Sequence, residues 1–180
     1  MSYNNSNKTI TTERLLLRMF TSSDAAAVAR LCNNYNIYKT TLYLPYPYTI
    51  DDALSWIDRH EANFEARLSY EFAVTDKISG ALYGAIALSY TEKSNNGELA
   101  YWIGEEFWGN GYATEAAEAM VKYAFEDRLY HKVFARYFSS NIASGKVMEK
   151  IGMSKEGILR EHIRKDGEYH DLVHYGMIQP

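Results

Sequence analysis

Cysteine, proline and basic charge are all scarce in this chain. One cysteine, Cys32, stands among 180 residues. No intrachain disulfide can form, so a reducing, cytoplasmic setting is the expectation. A lone small thiol on a helix reads as core, not as a nucleophile. Three prolines and no Pro/Gly/Ser-rich stretch leave no linker at which to split the chain. The longest apolar run, Ala81–Leu88, is far too short to span a bilayer, and the polar start Met1–Lys8 has no signal-peptide core. The net charge of −4 offers no dense basic surface for a nucleic acid. The partner implied is a small molecule or peptide, with no nucleic acid, no membrane, and a monomer or homodimer as the assembly.

What is present suits one ordinary domain. Hydrophobic residues make up 47% and charged residues 23%, enough to bury a core without staples. Residues 1–12 read as a polar tail and 13–180 as the domain. Arg14–Phe20 reads as a strand. Thr21 and Asp24 form a capping box for a helix over Ser22–Asn33, and Thr49 with Asp52 repeats it. Ala53, Ile57, Phe64 and Leu68 follow at roughly helical spacing. Glu71–Thr75 and Ala81–Tyr90 read as strands around a Ser79-Gly80 turn. Asn95-Asn96-Gly97 reads as another turn, before a strand over Glu98–Ile103. A helix over Ala113–Asp127, a strand over Lys132–Phe138 and a helix over Ile142–Ile151, stopped by Gly152, come next. Gly157–Arg164 and Glu168–Ile178 flank Asp166-Gly167 as a hairpin. Strands and helices in this order imply an α/β fold whose mixed sheet is covered by helices.

The segment Trp102-Ile-Gly-Glu-Glu-Phe-Trp-Gly-Asn-Gly-Tyr-Ala-Thr-Glu-Ala116 runs from strand through glycines into helix. Glycines bring bare N–H groups close to a ligand, and the helix N-terminus adds unpaired donors and partial positive charge. That order suits a pyrophosphate. It is not a nucleotide P-loop, for no Gly-Lys-Ser/Thr follows, and Thr114 stands where a dinucleotide fingerprint needs its third glycine.

The spacing resembles the coenzyme A loop of the GNAT acetyltransferase superfamily, Q/R-x-x-G-x-G/A, with Gly111 and Ala113 at its last two small positions and Trp108 in place of Gln or Arg. The segment around Trp108–Ala116 is similar to the RimJ/RimL branch. So are Glu13-Arg-Leu-Leu-Leu-Arg18, Leu44-Pro-Tyr-Pro-Tyr-Thr49, Asn141-Ile-Ala-Ser144, Glu149-Lys-Ile-Gly-Met153 and Glu156-Gly-Ile-Leu-Arg160. The resemblance covers about residues 13–178. It implies a single-domain GNAT fold, a mixed, mostly antiparallel sheet flanked by helices. It also implies acetyl-CoA as cosubstrate, no metal, and direct acetyl transfer to a primary amine. By the same resemblance, Trp102 and Ile103 lie on the strand nearest the coenzyme. Trp108, Gly109, Asn110, Gly111, Ala113 and Thr114 form its loop, and Asn141 and Ser144 meet its pantetheine arm.

Transfer needs an amine deprotonated, an oxygen stabilised and a thiolate protonated. Ser144 is the candidate acid, because the tyrosine that many relatives carry four residues on is here Met148. By the same resemblance Glu98 is the candidate base, since relatives often carry a glutamate on this strand; Glu161 is second, and the base that some relatives carry near position 163 has no counterpart, because Ile163 stands there. Asn141 also reads as a plain N-cap, and Glu98 as a solvated strand-end carboxylate. Tyr43 and Tyr46, in the aromatic stretch Tyr35–Thr49, are candidates for the acceptor wall; the stretch also reads as packing. His162, if it faces Asp171 across the hairpin, lies on the opposite sheet face from His170 and His174, which argues against a metal. The RimJ/RimL resemblance implies a protein N-terminal α-amine as the acceptor. A small amine (a polyamine, amino sugar or amino acid derivative) is the alternative, and a weakly or non-catalytic coenzyme A-binding module a third reading.

Overall fold

The computed structural model describes residues 2–6 and 8–180. Nine strands form one sheet: β1 (Ser2–Asn4), β2 (Thr9–Thr11), β3 (Leu15–Met19), β4 (Ser69–Asp76), β5 (Leu82–Thr91), β6 (Asn96–Ile103), β7 (Lys132–Phe138), β8 (Ser154–Lys165) and β9 (Glu168–Ile178). Their order is β1-β2-β3-β4-β5-β6-β7-β9-β8. Every neighbouring pair is antiparallel except β6 and β7. Parallel strands need a crossover, and helix α5 (Tyr112–Lys122) supplies it. The helices before it are α1 (Ala25–Cys32), α2 (Tyr35–Tyr38), α3 (Ile50–Ile57) and α4 (His60–Glu65), and α6 (Ile142–Lys150) follows β7.

Alternation along the strands divides the core into two layers. On β4, Tyr70, Phe72 and Val74 enter a cluster with Leu15, Leu17, Ala117 and Met120, on the side of α5. Ala73 enters a second cluster with Phe20, Val28, Ala53 and Ile57, on the side of α1 and α3. Both capping boxes form. Asp24 accepts from the Thr21 N–H at 2.8 Å, and Asp52 from the Thr49 N–H at 2.8 Å.

Several segments differ from expectation. Residues 1–12, read as a polar tail, carry β1 and β2 and extend the sheet beyond β3; Ile10 is their buried anchor. A 3-10 turn over Ser22–Asp24 precedes α1, so the helix begins later than expected. The helix after Thr49 breaks into α3 and α4, and Leu68 lies outside it, exposed. Only Asn95 of Asn95-Asn96-Gly97 turns, in the left-handed region; the other two begin β6. The helix expected to reach Asp127 changes to π-helix at Tyr123. In the final hairpin Ile163 pairs with His170 and Lys165 with Glu168, but Arg160–His162 bulge opposite Asp171. Glu161 takes φ 46° there, and its N–H donates to Asp171 Oδ1 at 2.8 Å. Alternation is interrupted at the bulge, so the two-face argument for His162 does not hold. His162 instead lies near enough to His174 to disfavour its protonation, although burial contributes more. Among the described residues no group of three His, Cys, Asp or Glu is placed to hold a metal, and no helix is long and apolar enough to cross a membrane.

Candidate active site

The parallel pair β6–β7 starts the site. Its register runs from Asn96↔Lys132 to Leu99↔Ala135 and stops. Beyond Leu99 the strands diverge, leaving the β7-facing backbone edge of Ala100–Ile103 outside the ladder, where it can pair with an extended ligand. A cleft of about 1060 Å³ opens there. At one end it is lined by Gly109, Gly111, Ala113, Thr114 and Ser144, and at the other by Tyr43, Tyr48, Trp56 and Glu71.

Beyond β6, a 3-10 turn over Glu105–Phe107 leads to Trp108. The Trp108 indole N–H donates to the Ile103 carbonyl at 2.6 Å, latching the loop to the strand end. The side chain that replaces Gln or Arg is therefore committed to the protein. Asn110 is also internal to the loop: its Nδ2 donates to the Phe107 carbonyl at 3.1 Å. Gly109 and Gly111 hold φ of +80° and +81°. A Cβ on Gly109 would meet nothing within 4 Å, so the backbone there faces open space. Gly111 caps α5, and the first-turn N–H groups of Tyr112, Ala113 and Thr114 have no partner within the helix. Open space, bare donors and a helix N-terminus together fit a pyrophosphate.

Arg14 was not visible as part of this loop. Its guanidinium donates to the Asn110 carbonyl at 2.9 Å and to Glu115 at 2.7 Å, and it lies 4.8 Å from the centre of the Tyr112 ring. It ties the glycine loop to the start of β3.

Asn141 caps α6, and its side chain accepts from the Ser144 N–H at 3.3 Å. The Ser144 hydroxyl lies 2.8 Å from the Tyr101 hydroxyl. Tyr101 is the residue that sequence reasoning missed. It sits where the β6–β7 ladder ends, and burial pushes its phenol up to about 12, so it stays protonated at neutral pH. Met148 is buried and lines the cleft. Trp102 lies on the other face of β6, packed on the second cluster, while Ile103 is buried in the first.

Glu98 lines the cleft but is not free. Both its oxygens accept from Arg136, at 2.7 and 2.9 Å. That pairing, helped by Tyr43, raises the Arg136 pKa. Tyr43 lines the cleft; Tyr46 is not among the lining residues and packs on Tyr35 and Tyr38, with ring centres 5.7 and 5.3 Å away. Glu161, exposed in the hairpin bulge, is not among the lining residues either. Cys32 is fully buried, its thiol pushed up to about 12 by burial.

Residues 14–154 match the family model described as the acetyltransferase (GNAT) domain. The chain belongs to the GNAT acetyltransferase family. As a GNAT enzyme it is an acetyl-CoA-dependent N-acetyltransferase of RimJ/RimL-like character. It is similar to the uncharacterized N-acetyltransferase YnaD of Bacillus subtilis, with 30% identity over 94% of this chain and 96% of that one. The crystal structure of a GNAT-family acetyltransferase from Bacillus anthracis superposes with a TM-score of 0.85 and 27% identity, covering 95% and 98% of the two chains. RimL, a ribosomal L7/L12 α-N-protein acetyltransferase solved with coenzyme A, shares this GNAT fold with a TM-score of 0.87 and 17% identity over 94% and 97%.

Proposed function

We propose that this enzyme acetylates the α-amine of a protein or peptide N-terminus by direct attack on the thioester. The observation that carries the reading is the charge balance at the acceptor end of the cleft. Asp52, Glu71 and Glu98 face that space with Lys39, Arg59 and Arg136. Asp52 is occupied by the Thr49 cap and Glu98 by Arg136. A polyamine needs several free carboxylates to receive its charges; an N-terminus presents one ammonium.

Direct transfer is supported by the burial of Cys32, since a covalent intermediate needs an accessible thiolate. Ser144 and Tyr101 then form the acid pair. A protonated phenol bonded to a serine hydroxyl is a proton source for the departing thiolate, as neither group is alone.

The test is thiol release from acetyl-CoA with a panel of short peptides, spermidine, an amino sugar and free amino acids. Peptides turning over with the highest kcat/KM is the expected result. Preference for spermidine or the amino sugar overturns the acceptor reading, and coenzyme A binding without turnover on any amine favours a binding module.

A further inference from the structure

Among the described residues, Glu71 is the cleft-lining carboxylate with a buried oxygen that no protein donor meets. Its Oε1 accepts from the Ser69 hydroxyl at 2.6 Å. Its Oε2 is buried and has no partner. A buried oxygen without a donor is left with its desolvation uncompensated, and a donor arriving with the substrate removes that cost. Register places the residue usefully. Glu71 pairs with Ala87, and Ala87 with Ala100, so the three form a row across one sheet face. At a strand spacing of about 4.8 Å, Glu71 is about 10 Å from Ala100 along a floor of methyl groups. Ala100 begins the segment where β6 leaves β7. An amine lying over Ala87 has the thioester site on one side and Glu71 on the other, directly or through one water.

We propose that Glu71, rather than Glu98, is the general base that deprotonates the acceptor. This inference rests on the N-acetyltransferase reading above. The ammonium gives one proton to Glu71, which releases it to solvent. The neutral nitrogen attacks the thioester carbon; the N–C bond forms and the C–S bond breaks. The thiolate takes a proton from the Tyr101–Ser144 pair, which recovers one from the nitrogen as the amide forms. One proton ends on the coenzyme A thiol and one in solvent, as the net reaction requires.

The surroundings suit this role. Burial raises the Glu71 pKa, while the Ser69 hydroxyl, the backbone N–H of Glu71 itself, the Asn63 amide of α4 and the nearby charge of Arg59 hold part of that rise back, none of them within hydrogen-bond distance of Oε2. His60, also on α4, is pushed down to about 4 by burial and carries no charge at neutral pH. Across the ladder β5 presents only Ala87. A carboxylate raised toward the working pH is a better base than one locked in an ion pair.

The experiment compares Glu71→Gln, Glu98→Gln and wild type, with acetyl-CoA and the best acceptor of the panel, from about pH 6 to about pH 10. Glu71→Gln should lower kcat/KM about a hundredfold near neutrality. It should then recover as pH passes the amine's own pKa, with coenzyme A affinity and melting temperature unchanged. Glu98→Gln should keep the wild-type pH profile. Ser69→Ala, which removes a bond favouring the charged form, should move the acidic limb to higher pH. A Glu71→Gln enzyme with a wild-type profile, or alkaline recovery in Glu98→Gln instead, overturns the assignment. Wild type inactive on every amine overturns the acceptor reading and this one with it.

Discussion

The two ends of the cleft are built by different means. The end proposed for the coenzyme offers main-chain groups: the unpaired edge of β6 after Leu99, the glycines at 109 and 111, and the first turn of α5. These are consecutive in sequence, and side chains there mostly hold the loop to itself, as Trp108 does with Ile103 and Asn110 with Phe107. The end proposed for the acceptor draws on side chains from distant segments. Glu71 comes from β4, Arg136 from β7, and Tyr43 from the loop after α2. That loop is fastened to the hairpin tip by Lys165, which donates to the carbonyls of Tyr38 and Thr41. A site of main-chain donors tolerates much change of residue type so long as the glycines remain. A site of convergent side chains changes its chemistry with one substitution. Coenzyme binding is thereby separable from acceptor choice.

The largest effect expected lies at the junction of the two ends. Tyr101→Phe and Ser144→Ala should each lower kcat about a hundredfold with coenzyme A affinity nearly intact. The double variant should be little worse than the poorer single, because the pair acts as a unit. Additive losses in stopped-flow transfer rates would separate them.

Acid should open the acceptor end first. His60 packs edge-on against Trp56 and Phe20, at 4.4 and 5.4 Å. Burial lowers its pKa from 6.5 to about 4. The unfolded chain binds this proton first as pH falls, so the stability gained from a neutral His60 is present above about pH 6.5 and lost toward pH 4. The loss is about 3 kcal/mol. His60→Phe should flatten the melting temperature over that window in calorimetric scans. An unaltered slope would place the acid sensitivity elsewhere.

At the coenzyme end, Gly111→Val should weaken acetyl-CoA at least about tenfold, roughly 1.4 kcal/mol. The new Cβ would lie 3.5 Å from Arg14 Nη2, an ordinary contact. The penalty is therefore the strain of a β-branched residue at φ +81°. Titration calorimetry on the folded variant decides it.

The smallest effect distinguishes two tyrosines. Tyr43→Ala should raise KM for the acceptor a few-fold, consistent with an aromatic contact of about 0.5–1 kcal/mol, and leave KM for acetyl-CoA alone. Tyr46→Ala should change neither constant. A change in acetyl-CoA KM for Tyr43→Ala would assign the loop to the coenzyme side.

The same contrast explains what was legible in the sequence. The glycine loop is local, and spacing alone placed it between a strand and a helix. Both capping boxes are four-residue patterns and formed as read. The strand over Lys132–Phe138 agrees residue for residue, because its alternation is bounded by clear breaks. What stayed hidden is long-range. Arg14 meets Asn110 across 96 residues, and Tyr101 meets Ser144 across 43. Neither partner carries a local signal of the other. Glu98 looked like a free carboxylate because nothing near it in sequence announces Arg136. The bulge at Arg160–His162 hid for another reason: two-residue hairpin pairing was extended past the point where Glu161 takes a left-handed backbone.

The place of β9 between β7 and β8 has a consequence for how the enzyme comes into being. β9 is translated after both of its neighbours, yet it supplies the ladder that holds β7 from Lys132 to Phe138. Until those residues leave the ribosome, β7 has an open edge, the divergence from β6 has no fixed outer wall, and the hairpin tip cannot fasten the loop after α2. Domains generally fold as units during synthesis. This chain should therefore remain unable to acetylate anything, including its own emerging neighbours, until β9 has been made.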